Sequence, residues 1–294
     1  GKTEKTILVG RERAYHGVGF GGISVGGLPL NKQHFSLLKN VDHIVTTHNL
    51  EKNAFSKGMP EWGGDLAEDL NRIIEKHGAE QIAAFITEPM AGSTGVLIPP
   101  KGYLKKIREI CTEHDILLIF DEVITGFGRL GTPFASHYFD VIPDMIVCAK
   151  GLTSGTVPMG AVMVKQEIYD AFQESDPKLI DFFHGYTYSA HPLAAAALIA
   201  TLEVYNEEGL FDQAAKIAPY WEEALHSLKN VDNVIDIRNL VFVGGIEMST
   251  QDGRIGKRGY NIFEKAFHDK NILLRLSLIH ISEPTRQAEI SYAV

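Results

Sequence analysis

Short apolar runs recur along this chain and constrain its fold more strongly than any other feature. They lie at residues 7–9, 43–45, 82–86, 116–120, 145–148 and 161–164. Continuous runs of this length are typical of strands that helices cover on both faces. Apolar residues recur at helical spacing before Gly78 and again before residue 116. We therefore predict an α/β fold with a mainly parallel sheet and helices on both faces.

The pattern changes after residue 208. Pro192 suits the first position of a long helix, and beyond that helix residues 211–228 form an amphipathic stretch. Strand-like runs then follow at residues 234–237 and 241–248. We therefore assign residues 1–208 to a large domain and residues 209–275 to part of a smaller α+β domain.

The charge balance bears on the partners of the protein. The 294 residues include 28 Lys and Arg against 37 Asp and Glu, for a net charge of −9. An acidic chain without a local basic cluster argues against nucleic acid or an anionic membrane as a partner. No apolar stretch approaches the length of a membrane span. Small molecules are therefore the expected partners.

Cysteine and histidine usage bears on the compartment and on metals. The two cysteines, Cys111 and Cys148, fall on a predicted helix and a predicted strand. A disulfide framework is therefore not expected, and a reducing cytoplasm fits the chain. The 12 histidines are scattered, and no ligand spacing typical of zinc occurs, so we predict no metal site.

A carboxylate and a lysine directly follow two of the predicted strands. Asp121 comes after the run at 116–120, and Lys150 comes after the run at 145–148 and Ala149. Ligands of open α/β sheets bind beyond the carboxyl ends of the strands. A lysine there can form a Schiff base, and a carboxylate can keep a bound heterocycle protonated. The pair predicts a pyridoxal phosphate (PLP) site, although either residue alone is more often a solvated strand end.

Further candidate cofactor-binding residues flank the same predicted sheet edge. Tyr15, with His16 beside it, follows the first strand and could stack on a planar ring. Glu88 follows the run at 82–86 and could orient a hydrogen-bond network. Val123 could contact the other ring face, and the Thr187 hydroxyl could bind a phosphate. Each residue alone is a weak signal, but together and in this order they favour the cofactor site.

A P-loop ATPase is the alternative from another enzyme class. Residues 1–3 (GKT) match the end of a phosphate loop, and residues 116–122 resemble a Walker B strand. A phosphate loop must open a helix, however, and residues 6–9 are strand-like. Residues 126–131 (GxGxxG) and 22–26 (GxSxG) also lack the flanking elements that such motifs need. We interpret both as glycine-rich loops.

Five sequence runs resemble those of class III aminotransferases. They are residues 13–17 (RAYHG), 88–90 (EPM), 120–129 (FDEVITGFGR), 149–151 (AKG) and 184–192 (HGYTYSAHP). Within that family the chain is most similar to ω-amino acid (β-alanine):pyruvate aminotransferases, and residues 234–239 (VIDIRN) support this narrower match. The resemblance covers residues 1–275 and implies a fold-type-I PLP-dependent transferase.

The resemblance implies roles for the residues around the cofactor ring. Lys150 would carry the cofactor and move protons, and Asp121 would keep the ring nitrogen protonated. Tyr15 and Val123 would enclose the ring, and Glu88 would support the network around Asp121. These roles make Lys150 and Asp121 the predicted catalytic residues.

The resemblance also implies the substrates and the assembly. Arg275 would pair with a substrate carboxylate, and Ser93 would line the pocket. Thr187 would bind the cofactor phosphate of the partner subunit, which implies a homodimer with shared active sites. The expected reaction moves an amino group from an ω-amino acid or amine, such as β-alanine, to pyruvate. Class III enzymes acting on 4-aminobutyrate, acetylornithine or diamines remain alternatives.

Both ends of the chain depart from the family pattern. The family has an N-terminal segment with its own phosphate-binding loop and a longer small domain, so we expect a fragment that is inactive by itself. Residues 276–294 match an in-frame translation of a transposase sequencing adapter. We expect this segment to be foreign to the natural protein, and we assign its side chains no role.

Overall fold

A six-stranded sheet forms the centre of the protein in a computed structural model that describes residues 2–173, 178, 182 and 184–277. Its strands run in the order β2-β1-β3-β4-β5-β6. They are β1 (Ile7–Arg11), β2 (Val41–Ile44), β3 (Ile82–Thr87), β4 (Leu117–Asp121), β5 (Met145–Ala149) and β6 (Gly160–Val164). The first five strands are parallel, and β6 pairs with β5 in the antiparallel direction. The prediction of a mainly parallel α/β sheet is therefore confirmed.

Helices connect these strands and continue into the C-terminal part. They are α1 (Phe20–Val25), α2 (Pro29–Lys32), α3 (Leu50–Asn53), α4 (Asp69–His77), α5 (Tyr103–Glu113), α6 (Ala135–Phe139), α7 (Gln166–Gln173), α8 (Pro192–Glu207), α9 (Leu210–His226) and α10 (Lys257–Lys270). Gly78 follows α4 at φ +83°, and its N–H donates to the Ile74 carbonyl over 2.8 Å. The left-handed φ explains why a glycine ends this helix.

The core lies between the sheet and the helices α4 and α5. Phe85 of β3 and Leu118 and Phe120 of β4 are fully buried, as are Ile73 of α4 and Ile107 of α5. Each such side chain stabilises the fold by roughly 1.5–3 kcal/mol relative to an exposed one. This packing explains the apolar residues of β3 and β4, and polar groups follow where those strands end.

Two of the glycine motifs have structural roles. The expectation of a loop at residues 22–26 is wrong, because α1 covers most of them and the buried Ser24 hydroxyl donates to the Phe20 carbonyl over 2.7 Å. An added Cβ at Gly22 would lie 2.2 Å from the His16 carbonyl oxygen, so only glycine lets α1 approach that turn. Residues 126–131 do form turns, and Gly131 lies where an added Cβ would meet the Ala215 Cβ of α9 at 2.9 Å.

The C-terminal part contains a two-stranded antiparallel sheet. Its strands are β7 (Val234–Leu240) and β8 (Val243–Met248), and α9 precedes them in the predicted order of a helix followed by strands. Helix α10 follows the strands and was not predicted. The division of the chain at residue 208 remains a prediction. Of the segment at 276–294, only Leu276 and Ser277 belong to the described residues, and both are half-buried. The rest of this segment lies outside the described residues, so its expected foreign origin also remains a prediction.

Candidate active site

The sheet brings the predicted site residues to one edge. Asp121 is the last residue of β4, and Lys150 follows β5 directly in a 3₁₀ turn (Lys150–Thr153). Glu88 follows β3, and Tyr15 comes four residues after β1. Because β1, β3, β4 and β5 are adjacent and parallel, their carboxyl ends meet here. Residues scattered over more than a hundred positions of sequence therefore face one another.

Asp121 is held by two hydrogen bonds. The His16 Nδ1 lies 2.8 Å from the Asp121 Oδ2, and the backbone N–H of Val123 donates to the Asp121 Oδ1 over 3.2 Å. The side chains of His16 and Asp121 are 2% and 11% exposed. This burial rules out the solvated strand end that remained an alternative for Asp121. His16 gains a defined role as its orienting partner.

Glu88 is a buried acid beside this pair. It is 4% exposed, and the backbone N–H of Tyr15 donates to its Oε2 over 3.1 Å. Burial raises the pKa of Glu88 to about 7, and the charges of His16 and Arg11 partly offset that effect. Arg11, the last residue of β1, is 1% exposed and was not among the predicted site residues. Its position two residues after the apolar run at 7–9 is the sequence signal that could have identified it.

Lys150 has an unusual backbone conformation. Its φ is +48°, which is left-handed and costs a non-glycine residue on the order of 1–3 kcal/mol. Burial lowers the pKa of Lys150, the charge of Arg275 lowers it further, and Asp121 and Glu88 act in the opposite direction. Such strain concentrates at functional sites. Because Asp121 and Glu88 both act on its pKa, the Lys150 amine lies within electrostatic range of these two acids.

The predicted substrate residues occupy different positions. Ser93 is 8% exposed in the loop after β3. Arg275 is exposed in the segment after α10, close enough to influence the pKa of Lys150. Thr187 lies in an exposed turn before α8. The charge of Arg275 thus acts on the pKa of Lys150, whereas the described contacts do not join Thr187 to the site.

Comparison with known proteins identifies the family. The family model described as "Aminotransferase class-III" matches residues 1–278. The chain belongs to the class III aminotransferases. This class III chain is 56% identical over 287 residues to an omega-aminotransferase of Caulobacter vibrioides, covering 97% of itself and 65% of that relative. It is 48% identical over 276 residues to a beta-alanine–pyruvate aminotransferase of Pseudomonas aeruginosa, covering 91% of itself and 61% of that relative.

Solved structures agree with the fold of this class III chain. The omega transaminase of Pseudomonas jessenii in complex with PMP matches with a TM-score of 0.87 at 30% identity. That match covers 95% of this chain and 63% of the other. The chain thus spans less than two thirds of the length of these relatives. The P-loop alternative fails, because strand β1 rather than a helix follows Lys2 and Thr3.

The residues of this class III chain fit PLP. An amine and a largely buried carboxylate at the ends of adjacent strands suit an aldehyde and a ring nitrogen on one planar group. Val123 and Tyr15, both half-buried, supply apolar and aromatic surface beside Asp121. Among the described residues no cluster of His, Cys, Asp and Glu could hold a metal ion. No helix in the same part of the chain is long and apolar enough to cross a membrane.

Glu88→Gln should change how stability depends on pH. The folded-state pKa of Glu88 is about 7 against 4.5 when exposed, so the folded protein holds a proton that the unfolded chain releases between these values. Stability is therefore lost as pH rises from 4.5 to 7, and the glutamine variant avoids this loss. Its unfolding free energy relative to the parent should rise by roughly 1–3 kcal/mol between pH 5 and pH 8.

Denaturant unfolding of the cofactor-free protein at both pH values measures this difference. Glu113→Gln, at an exposed position of α5, controls for the substitution itself. A difference between Glu88→Gln and the parent that stays constant with pH would show that Glu88 is ionised in both states.

Proposed function

We propose that the full-length gene product is a PLP-dependent aminotransferase that moves an amino group from an ω-amino acid or amine, such as β-alanine, to pyruvate. The observation that carries this proposal is that Lys150 and Asp121 follow the adjacent strands β5 and β4, with the Asp121 carboxylate largely buried and bonded to His16 over 2.8 Å. The printed names of the Caulobacter and Pseudomonas relatives support the reaction class. Their identity to this chain makes ω-amino acids the first donors to test.

Asp121, His16 and Lys150 have different roles in the proposed reaction. PLP, when bound, supplies a protonated ring that accepts the electron pair left at a carbon that loses its proton. The Asp121 carboxylate holds the proton on the ring nitrogen, and His16 fixes that carboxylate in place. The Lys150 amine removes the proton from the amine-bearing carbon of the donor. Its lowered pKa leaves more of the neutral base available near neutral pH.

Arg275 and Ser93 supply substrate selection. β-Alanine and pyruvate both carry a carboxylate, and a guanidinium binds a carboxylate through two parallel hydrogen bonds. Arg275 is exposed and lies within electrostatic range of Lys150, so one arginine serves both substrates. Ser93 leaves room in the pocket because its side chain is small. Enzymes that act on 4-aminobutyrate, acetylornithine or diamines would use the same Lys150 amine and Asp121 carboxylate. The amino donor must therefore be identified by experiment.

We also propose a homodimer in the cytoplasm. The edge strand β6 exposes Val162, Met163 and Val164 at 60%, 40% and 41%. On α8, Leu193 and Ile199 are 68% and 57% exposed. Exposed apolar side chains on an edge strand and on a long helix suit an interface with another protein, and a second copy would bring Thr187 near a neighbouring site. The buried free thiols of Cys111 and Cys148 support a reducing compartment.

The test is a half-reaction on the PLP-loaded full-length protein. β-Alanine, 4-aminobutyrate and 1-phenylethylamine are added separately, and the absorbance of bound PLP is followed. We expect β-alanine to bleach it and pyruvate to restore it. Bleaching by none of the donors would overturn the proposed reaction, and faster bleaching by 4-aminobutyrate would reassign the donor.

Asp121→Asn should lower the rate far more than it lowers cofactor occupancy. Asparagine keeps the shape and a hydrogen bond to His16 but cannot hold a charge beside the ring nitrogen. Removing one preorganised electrostatic group costs on the order of 10²–10³ in kcat. Turnover with β-alanine and pyruvate, measured beside the PLP content, checks this. Asp140→Asn, at an exposed position that pairs with Lys105, is the control, and equal turnover in both variants would remove Asp121 from the chemistry.

A further inference from the structure

The backbone around Lys150 is fixed by hydrogen bonds that follow it. The N–H of Gly155 donates to the Lys150 carbonyl over 3.1 Å, and the N–H of Ser154 donates to the Gly151 carbonyl over 3.2 Å. These bonds close the 3₁₀ turn that begins at Lys150. A left-handed residue persists only where the surrounding structure imposes that conformation. The groups that hold Gly151 therefore bear directly on Lys150.

A tyrosine from a distant helix provides one of these contacts. The Tyr205 hydroxyl on α8 donates to the Gly151 carbonyl oxygen over 2.7 Å. Burial raises the pKa of Tyr205, so its hydroxyl remains a donor at neutral pH. The same carbonyl thus accepts from the Ser154 N–H and from Tyr205. Of these two donors, only Tyr205 comes from outside the turn.

An aromatic cluster fixes Tyr205 in turn. We define it as Phe127, Phe134, Tyr205 and Phe211. The Tyr205 ring stacks on Phe127 at 5.9 Å and 24°, and it lies 5.4 Å from Phe211 at the start of α9. Phe127 in turn packs against the edge of Phe134 at 5.3 Å. Each of these ring pairs lies within the separation at which aromatic side chains stabilise one another.

Gly151 is enclosed from the other side by the same cluster. An added Cβ at Gly151 would lie 2.7 Å from the Phe127 Cβ, which is closer than real Cβ atoms approach. Phe127 itself has a left-handed φ of +63°, so the position of its ring depends on a constrained backbone. Gly151 therefore has a ring against its Cα and a hydroxyl on its carbonyl. The two contacts therefore constrain Gly151 and the Gly151–Leu152 peptide, which is one residue beyond Lys150.

We propose that Tyr205 is a positioning residue for Lys150: by fixing the Gly151 carbonyl, its hydroxyl holds Lys150 in the left-handed conformation that keeps its amine within range of Asp121 and Glu88. The charged groups that act on this amine are Asp121, Glu88 and Arg275. Tyr205 touches neither substrate nor cofactor in this role. The inference rests on the function proposed for Lys150 and adds a residue on which that function depends.

Tyr205→Phe tests the inference because it keeps the ring stacking and removes only the hydroxyl. The first measurement needs no turnover. The cofactor-free full-length protein is acylated with acetic anhydride over a range of pH, and labelling of the Lys150 peptide is quantified by mass spectrometry. We expect the labelling midpoint of Lys150 to rise by about half a pH unit in the variant, because a less confined amine is better hydrated. The midpoints of exposed lysines should not move.

The second measurement separates kcat from KM. Loss of one hydrogen bond at a positioning residue should lower kcat by about 3- to 10-fold. KM for β-alanine should stay within twofold, because Arg275 is untouched. Tyr138→Phe is the matched control, since Tyr138 is a half-buried tyrosine of α6 whose hydroxyl makes no hydrogen bond among the described residues. It should change neither the Lys150 midpoint nor kcat.

The outcomes distinguish this inference from the proposed function. If the parent turns over β-alanine and Tyr205→Phe matches it in both midpoint and kcat, Tyr205 does not position Lys150. A lower melting temperature without a shift in the Lys150 midpoint would give Tyr205 a structural role only and would also overturn the inference. A parent protein that binds PLP without turnover of any donor contradicts the proposed function, while the labelling midpoint still decides the role of Tyr205.

Discussion

Lys150→Ala is expected to abolish transamination by the full-length gene product. The variant loses both the amine that would carry PLP and the base that moves the proton at the donor carbon. A positioned base alone contributes about 10²–10⁴-fold, which corresponds to roughly 3–5 kcal/mol of activation free energy. Turnover of β-alanine and pyruvate and the absorbance of bound PLP measure the two losses. Both should fall together, because one nitrogen performs both tasks.

The fold should survive this substitution. Although partial desolvation of its amine lowers the pKa of Lys150, the residue as a whole is exposed, so the loss of its long side chain removes little packing. The melting temperature of the cofactor-free variant should therefore match that of the parent. Lys101→Ala, at an exposed lysine that pairs with Glu61, is the control for a lost surface charge. Retained colour and retained turnover in Lys150→Ala would remove this residue from the mechanism.

The sequence predicts the sheet well because each of its strands carries a short, nearly continuous apolar run, whether the strand is central and largely buried like β3 or at the exposed edge like β6. Each apolar run became a strand, with bounds that moved by one or a few residues, as at β2, where the run at 43–45 became Val41–Ile44. Charged residues that directly follow these apolar runs therefore lie at the carboxyl ends of the strands. Asp121 and Lys150 follow from that rule alone. The antiparallel direction of β6 does not follow from it, because an edge strand carries the same apolar residues in either direction.

Other features depend on contacts between distant segments. The hydrogen bond between His16 and Asp121 requires that β1 lie beside β3 and β3 beside β4, and apolar runs do not specify their neighbours. Tyr205 lies on a helix whose sequence offers several apolar and aromatic residues, so its bond to Gly151 has no local signature. Helix α1 was missed because glycine, which weakens helices, is needed there for close packing against His16.

Arg238 of β7 forms a buried charge network that predicts the largest effect on stability. Its guanidinium pairs closely with Asp236, and its Nη1 donates to the Glu247 Oε2 over 2.7 Å. The Nε and Nη2 atoms donate to the carbonyl of Gly95 over 3.0 and 2.9 Å. The Arg238, Asp236 and Glu247 side chains are only 9%, 2% and 12% exposed. One arginine thus pairs with two largely buried acids and holds the loop that carries Ser93.

Arg238→Met should therefore destabilise the protein by about 3–5 kcal/mol. Methionine fills similar space, but it leaves Asp236 and Glu247 buried without their cation, and breaking a buried pair on one side costs an amount of this order. Denaturant unfolding at pH 7 measures the change. Arg129→Met, at an exposed arginine, should stay within about 0.5 kcal/mol of the parent.

The pH dependence identifies the cause of that loss. Burial raises the pKa of Glu247, but its contacts with His48 and Arg238 lower it overall to about 2. A carboxyl whose folded-state pKa is depressed from 4.5 contributes stability that is present above pH 4.5 and is lost as pH falls toward 2. The gap between parent and Arg238→Met should therefore narrow between pH 5 and pH 3. A gap that stays constant would mean that Arg238 stabilises the fold through packing and its bonds to Gly95, and that the two acids contribute nothing through their charge.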